Sequence, residues 1–264
     1  MFKQVESGLI LHDNREVPVL TFPELEADGR FVHGITTRLG GVSSAPFQYL
    51  NLSLSVDDSA ASVRENRARA ARSLDMDTRL QVRCRQAHGN TVAAISDKAS
   101  SDAPLADALV TDQPGLALTM TFADCLPIIL ADASVPALGL VHAGWRGSVA
   151  GVALAAWQAL ERLGAHPGTT TAYLGPAIGP CCYQVGDDVV AQVRALGTSA
   201  RGTLAERDGH AYLDLARLNG QMLEERGVRT VRSRICTACH TDLFYSHRAE
   251  AGCTGRFGVY VGLA

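Results

Sequence analysis

The chain lacks any run of about 18 uncharged apolar residues, the minimum for a bilayer-crossing helix, so no membrane-spanning helix is expected. Its start, Met1-Phe2-Lys3-Gln4-Val5-Glu6, lacks the apolar stretch and small-residue cleavage site of a secretory signal. Charge of one sign is lacking too. Twenty-four Lys and Arg against 27 Asp and Glu leave a formal charge of −3, which gives no electrostatic footprint for nucleic acid. No Pro/Ser-rich linker, charge run or composition shift marks a boundary, and no internal repeat is evident, so residues 1–264 read as one domain. The seven cysteines are odd in number, in a chain long enough to build a core without disulfide staples. Reduced thiols in a cytoplasmic protein follow.

What is present is apolar periodicity. With 47% hydrophobic residues the chain can bury a substantial core. Val63, Ala70, Ala71 and Leu74 share one face of a helix over Asp58–Leu74, with Asp57 or Asp58 available as its cap. Arg64, Arg67, Arg69 and Arg72, at helical spacing, read as its solvated face. Further helices are expected over Gly147–Leu163, Asp187–Leu196 and Asp214–Arg226, the first and last stopped by Gly164 and Gly227. Between them lie β-rich runs at Leu116–Phe122, Leu126–Leu130, Ala137–His142, Thr171–Leu174, Val228–Ile235 and Phe257–Val261. Helices interspersed with consecutive strands predict an α/β fold, a layered domain of mixed β-sheets flanked by helices. Ser100–Pro104 reads as a surface turn.

Polar residues interrupt the apolar strands at three places. These are Gln86-Ala87-His88-Gly89-Asn90, Ala123-Asp124-Cys125-Leu126-Pro127 and His142-Ala143-Gly144-Trp145-Arg146-Gly147. Strand-to-loop junctions can present reactive side chains without spoiling the core. Two imidazoles and a thiolate suit Zn2+, and three protein ligands leave a fourth position open, as in catalytic zinc. The same residues support a metal-free reading, with Cys125 a nucleophile, His142 its base and Arg146 lowering the thiol pKa. From spacing alone, a lone His or Cys near a strand end is more often a packed or capping residue, and that reading of His88, Cys125 and His142 stands beside the other two.

Other motifs carry less. Cys236-Thr237-Ala238-Cys239-His240 has the form of a haem-attachment motif, but no export signal accompanies it. A zinc site there would need a second pair, and the adjacent Cys181-Cys182 is a poor match, so thiols lining the core or pocket are expected. Gly175-Pro176-Ala177-Ile178-Gly179-Pro180 follows a strand and fits neither the Walker nor the Rossmann spacing, so it reads as a turn. Arg38, in Thr36-Thr37-Arg38-Leu39-Gly40-Gly41, and Arg248, in Ser246-His247-Arg248, are candidates for gripping an anion.

Taken together, these motifs resemble the laccase-domain family, also described as zinc-dependent purine nucleoside phosphorylases and formerly as polyphenol oxidases. The match runs through residues 33–43, Asn51-Leu52-Ser53, the three strand-end motifs, residues 175–186 and residues 236–248. The resemblance implies that His88, Cys125 and His142 ligate zinc and form the catalytic centre, and that the fold is similar to that of deamidating toxins with a catalytic Cys and His. It implies phosphorolysis of adenosine, inosine, guanosine and methylthioadenosine, with adenosine deamination as a second activity. Small-molecule partners, a purine nucleoside and phosphate, follow, and a homodimer is compatible. Arg38 and Arg146 are then expected to hold phosphate, and Arg248 and His33 to contribute to the substrate site. Zinc deaminases use a glutamate as proton shuttle; none stands in the matched motifs, leaving Asp124 or His33. Where the family has an aromatic pair followed by Tyr-Arg, this chain has Phe244-Tyr245-Ser246-His247-Arg248, so His247 should alter the pocket.

Copper fares poorly. A multicopper oxidase needs about ten imidazoles, commonly as His-x-His. The chain has eight histidines and no such pair. The alternative function is a metal- or Cys-dependent amide hydrolase acting on a peptidoglycan precursor or similar amide.

Overall fold

The structure, a computed structural model, describes residues 8–96 and 103–264. The N-terminal hexapeptide and part of the Ser100–Pro104 turn lie outside those residues. In chain order, β1 (Ile10–His12) and β2 (Val19–Thr21) form a hairpin, followed by α1 (Pro23–Asp28) and β3 (Phe31–Thr36). Then come α2 (Ala60–Ser73), β4 (Gln81–Arg83), β5 (Val92–Ala94), β6 (Ala108–Thr111), β7 (Ala117–Phe122), β8 (Leu126–Asp132) and β9 (Leu138–Ala143). The second half holds α3 (Trp145–Val149), α4 (Val152–Glu161), β10 (Thr170–Leu174), β11 (Gln184–Val185), α5 (Asp187–Arg194), β12 (Leu204–Arg207), β13 (His210–Leu213), α6 (Leu215–Glu224), β14 (Arg229–Arg232) and β15 (Phe257–Leu263).

Two six-stranded sheets dominate, in the orders β1-β2-β3-β15-β7-β4 and β14-β10-β8-β9-β6-β5; a three-stranded sheet, β11-β13-β12, sits apart. Both large sheets are mixed: β4–β7, β5–β6 and β10–β14 pair in parallel, the remaining neighbours antiparallel. Strand β8 shows why the sheets stack. Leu126, Ile128 and Leu130 point into a core shared with α4 and α6, while Ile129 and Ala131 join Leu118, Phe122, Phe257 and Val259 of the other sheet. Alternation thus supplies apolar side chains to both faces, and the strand reads as one apolar run because both faces are covered. Each fully buried Leu or Ile, such as Ile128 or Leu160, contributes about 1.5–3 kcal/mol. A third core lies under α2, where Ala70 and Leu74 meet Val17, Val19, Leu50 and Tyr260. The layers run helix, sheet, sheet, helix, as the α/β reading with mixed sheets and flanking helices anticipates.

Two local expectations change. The helix expected over Gly147–Leu163 is two helices, because Gly151 adopts φ 78°, a left-handed conformation cheap only for glycine. The cap of α2 is neither Asp57 nor Asp58 but Ser59, whose side chain accepts from the Ser62 N–H. Asp58 is engaged elsewhere, its Oδ2 accepting from Ser43 Oγ and Asn51 Nδ2. Among the described residues no helix is long and apolar enough to cross a membrane.

Candidate active site

His88, Cys125 and His142 converge at one end of the two sheets, their ligand-type atoms within 4.8 Å of one another. Strand register brings two of them together. In the β8–β9 pair, Leu126 faces Ala143 and Pro127 faces His142, so Cys125 emerges beside Gly144. A side chain at Gly144 would meet Cys125 Sγ at 3.0 Å and His88 Cδ2 at 3.3 Å, and one at Gly147 would meet the Gly89 carbonyl at 2.8 Å. The glycines of His-Ala-Gly-Trp-Arg-Gly are therefore spacing requirements of the cluster.

Asp107, immediately before β6, organises the cluster, and sequence reasoning missed it. Its carboxylate accepts from the N–H groups of Ala87 (3.1 Å), His88 (2.9 Å) and Gly89 (2.7 Å), which clamps the His88 loop. It also lies 2.9 Å from His142 Nδ1. An ionised carboxylate can only accept, so His142 Nδ1 carries the proton and Nε2 is left for the cluster. The only outward signal was an aspartate set among small apolar residues, Ala106-Asp107-Ala108. Two residues of the site hold left-handed backbone without being glycine, His88 at φ 59° and Asp124 at φ 80°. Such conformations cost of order 1–3 kcal/mol and persist where the surroundings over-determine them. Here Asp107 grips His88. Asp124 is held by Thr237 Oγ1 (2.7 Å) and the Arg248 N–H (2.7 Å), each on one of its oxygens.

Electrostatics inside the cluster are self-compensating. Burial opposes ionisation of Cys125, but the His142 charge and hydrogen bonds from His142 and His88 outweigh it and bring the thiol down to about 6. Burial likewise opposes a charged His142, yet the Cys125 thiolate and Asp107 raise it to about 9. Cys84, lining the same cavity without such partners, is pushed up to about 12, chiefly by burial.

The cluster opens into a cavity of about 960 Å³. Its walls carry Arg67, Arg83, Arg85, Arg146, Arg248 and Arg256 against one carboxylate, Asp124. Among the described residues none of these arginines makes an ion pair. Arg67 is lowered to about 10, first by burial and then by the charge of Arg83. Arg256 is also lowered by burial, which outweighs the attraction of Cys125, Asp124 and Glu250. Trp145 and Tyr183 offer aromatic surface, and Ile178 and His247 also line the cavity.

Of the sequence candidates, the cavity gathers His88, Cys125, His142, Arg146, Arg248 and the divergent His247, and leaves out Arg38 and His33. The expectation that Arg38 grips phosphate meets a guanidinium already engaged. It donates to the Gln48 and Thr241 carbonyls, pairs with Glu250 at 3.0 Å and stacks 4.5 Å over Tyr245. His33 is buried under α1 and accepts from the Phe22 N–H at 2.8 Å, its imidazole lowered to about 4 by burial. Arg67, read as part of a solvated face, instead turns into the cavity and donates to the Leu52 carbonyl. Its helix neighbours Arg69 and Arg72 do stay at the surface, paired with Glu16 and Glu65.

Residues 32–264 match the family described as multi-copper polyphenol oxidoreductase laccase. The chain is 38% identical over 248 residues to purine nucleoside phosphorylase YlmD of Geobacillus stearothermophilus, covering 88% of this chain and 89% of that one. It is 39% identical over 248 residues to a purine nucleoside phosphorylase of Deinococcus radiodurans, covering 94% and 93%. Among solved structures, YfiH of Bacillus licheniformis superposes with a TM-score of 0.87 at 31% identity, over 100% of this chain and 99% of that one. The YlmD structure from Geobacillus stearothermophilus gives a TM-score of 0.86 at 34% identity, over 99% and 98%.

Proposed function

Since the chain belongs to the multi-copper polyphenol oxidoreductase laccase family, with relatives named purine nucleoside phosphorylases, we propose that it splits purine nucleosides with inorganic phosphate. The observation that carries this reading is the pairing, in one cavity, of a His88–Cys125–His142 donor cluster with arginines that, among the described residues, make no ion pair with a carboxylate. In phosphorolysis a phosphate oxygen attacks C1′ of the ribose and the C1′–N9 bond breaks. Its electron pair passes to the base, which takes up a proton as it leaves, giving free base and ribose 1-phosphate. Arg67, Arg83 and Arg256 are the donors assigned to phosphate, because a guanidinium keeps its charge and binds phosphate oxygens in a fork. Trp145 and Tyr183 provide apolar faces against which a purine packs. Adenosine, inosine, guanosine and methylthioadenosine are the proposed substrates.

His88, Cys125 and His142 have the donor chemistry of a three-ligand zinc site, with Asp107 accepting from His142 Nδ1–H and so fixing its tautomer. When bound, zinc supplies Lewis-acid polarisation at that corner. Copper also occurs with two imidazoles and a thiolate, in electron-transfer centres. A polyphenol oxidase would need a further imidazole cluster, and among the described residues the other donor group is made of cysteines alone. Adenosine deamination is proposed as a second activity of this corner. Asp124 has both oxygens occupied and His33 lies outside the cavity, so neither suits the proton shuttle.

A second reading has its own support. Cys125, His142 and Asp107 stand in the order of a Cys–His–Asp triad, with the thiol brought down to about 6. One assay separates the two. Phosphorolysis predicts base release from inosine that requires phosphate, falls on chelation and is abolished in Cys125→Ala. Base release independent of phosphate, or an amidase activity that survives chelation and is blocked by alkylation, would replace it with the hydrolase.

A further inference from the structure

Four of the cysteines outside the active site form a cluster of their own, where the sequence suggests thiols lining the core or pocket. Cys181, Cys182, Cys236 and Cys239 gather with all four sulfur atoms within 4.8 Å of one another. Adjacent cysteines look unsuited to one tetrahedral centre, but the backbone turns sharply there, the Cys182 and Tyr183 N–H groups both donating to the Gly179 carbonyl. The second pair sits on another turn, in which the Cys239 and His240 N–H groups donate to the Cys236 carbonyl. The two turns are joined by a bridge between Ala177 and Cys236 and by the Thr237 N–H on the Ala177 carbonyl.

Four thiolates around zinc at about 2.3 Å define a tetrahedron with edges of about 3.8 Å. The Sγ separations of 3.4 Å (Cys182–Cys239) and 3.6 Å (Cys181–Cys239) approach that edge, whereas a disulfide requires about 2.05 Å. All seven cysteines are unbonded thiols. The Gly179 N–H donates to Cys236 Sγ at 3.2 Å, the kind of contact that stabilises a metal-bound thiolate. A side chain at Gly179 would meet Cys236 Cβ at 3.2 Å and Cys181 Sγ at 3.3 Å, so close approach of the turns depends on that glycine.

We infer that Cys181, Cys182, Cys236 and Cys239 form a second, structural zinc site, closed by four protein thiolates and separate from the active-site corner. Four protein ligands leave no position for substrate, so the site staples rather than catalyses. What it staples is the cavity. One turn leads into Ile178 and Tyr183, the other toward His247 and Arg248, and Thr237 between the two cysteines holds Asp124 next to Cys125. The inference stands on the thiolate geometry and is independent of the activity proposed above.

The test reads metal, not turnover. Protein purified under reducing conditions should hold two zinc ions per chain, and His88→Ala/His142→Ala should retain one. In that double variant, cobalt exchanged into the remaining site should show the visible and sulfur-to-cobalt bands of a tetrahedral tetrathiolate complex. Cys181→Ser and Cys239→Ser, at exposed positions, should each bring the wild-type stoichiometry from two to one. The inference is overturned if those variants keep the same zinc as the parent, or if iron occupies the thiolates. It is equally overturned if iodoacetamide modifies all four cysteines of the native double variant as fast without chelator as with it.

Discussion

The corner and the wall of the cavity handle charge in opposite ways. In the corner every charge has its counterpart within the protein: the Cys125 thiolate faces His142, and His142 faces Asp107, which is further held by three backbone N–H groups. On the wall, Arg67, Arg83 and Arg256 have carbonyl or amide partners but, among the described residues, no carboxylate, and burial lowers Arg67 and Arg256. A compensated cluster keeps its geometry whether or not anything is bound. Uncompensated guanidinium charge is held at a cost, and an anion relieves it. The corner is built to stay and the wall to be filled.

The sharpest test of this contrast compares two thiols of the one cavity. At pH 7 a thiol of about 6 is mostly thiolate, whereas one of about 12 is ionised to roughly one part in 10⁵. The lower intrinsic nucleophilicity of the more acidic thiolate returns part of that advantage. After chelation, Cys125 should therefore alkylate roughly 10²–10³-fold faster than Cys84, with its rate falling as pH drops through about 6. Peptide mass mapping showing equal rates would mean that the corner is not electrostatically coupled. Next, Asp107→Asn places an amide NH2 among the N–H donors of the His88 loop. Metal affinity or kcat should fall about 10–100-fold, the usual cost of losing a carboxylate that orients a metal-binding histidine, and titration with a zinc indicator reads it. Smallest is the wall. Arg67→Gln should raise the phosphate KM roughly tenfold with kcat and bound zinc little changed, one charge-assisted hydrogen bond being worth at least about 1.5 kcal/mol. Arg38→Lys should leave that KM within about twofold while lowering thermal stability, since its partners are Glu250 and backbone carbonyls. A larger KM effect at Arg38 than at Arg67 would reverse the assignment of the wall.

How far the sequence reaches differs between these regions for physical reasons. His88, Cys125 and His142 are legible because a polar residue ending an apolar strand stands out against its neighbours. Asp107 is not, since its role depends on a loop 18–20 residues earlier and a strand 35 residues later. Arg67 hides for a different reason. Helical spacing groups it with Arg64, Arg69 and Arg72, and only the curl of residues 52–55 over α2 distinguishes inside from outside. Arg38 misleads in the other direction, because flanking glycines suggest ligand approach when Gly41 actually makes room for the Tyr49–Leu50 backbone. In the fold, the long strands β7, β8, β9, β10 and β15 are readable from apolar runs. Short edge strands such as β1, β4 and β5, three residues each, are too brief to show a period and are defined by their partners.

The register of β8 against β9 sets Cys125 and His142 at the open end of their hairpin, while the connection at Ser134–Pro136 lies at the other end. The hairpin thus behaves as a ruler with one graduated end. Lengthening the chain at Ser134–Pro136 leaves every cross-strand pair where it was. Adding a single residue between Cys125 and Leu126 turns Cys125 to the opposite face and parts it from His142, since side chains alternate with a period of two. Tolerance to insertion in this protein is therefore set by which end of the hairpin is cut, more than by how exposed the cut is.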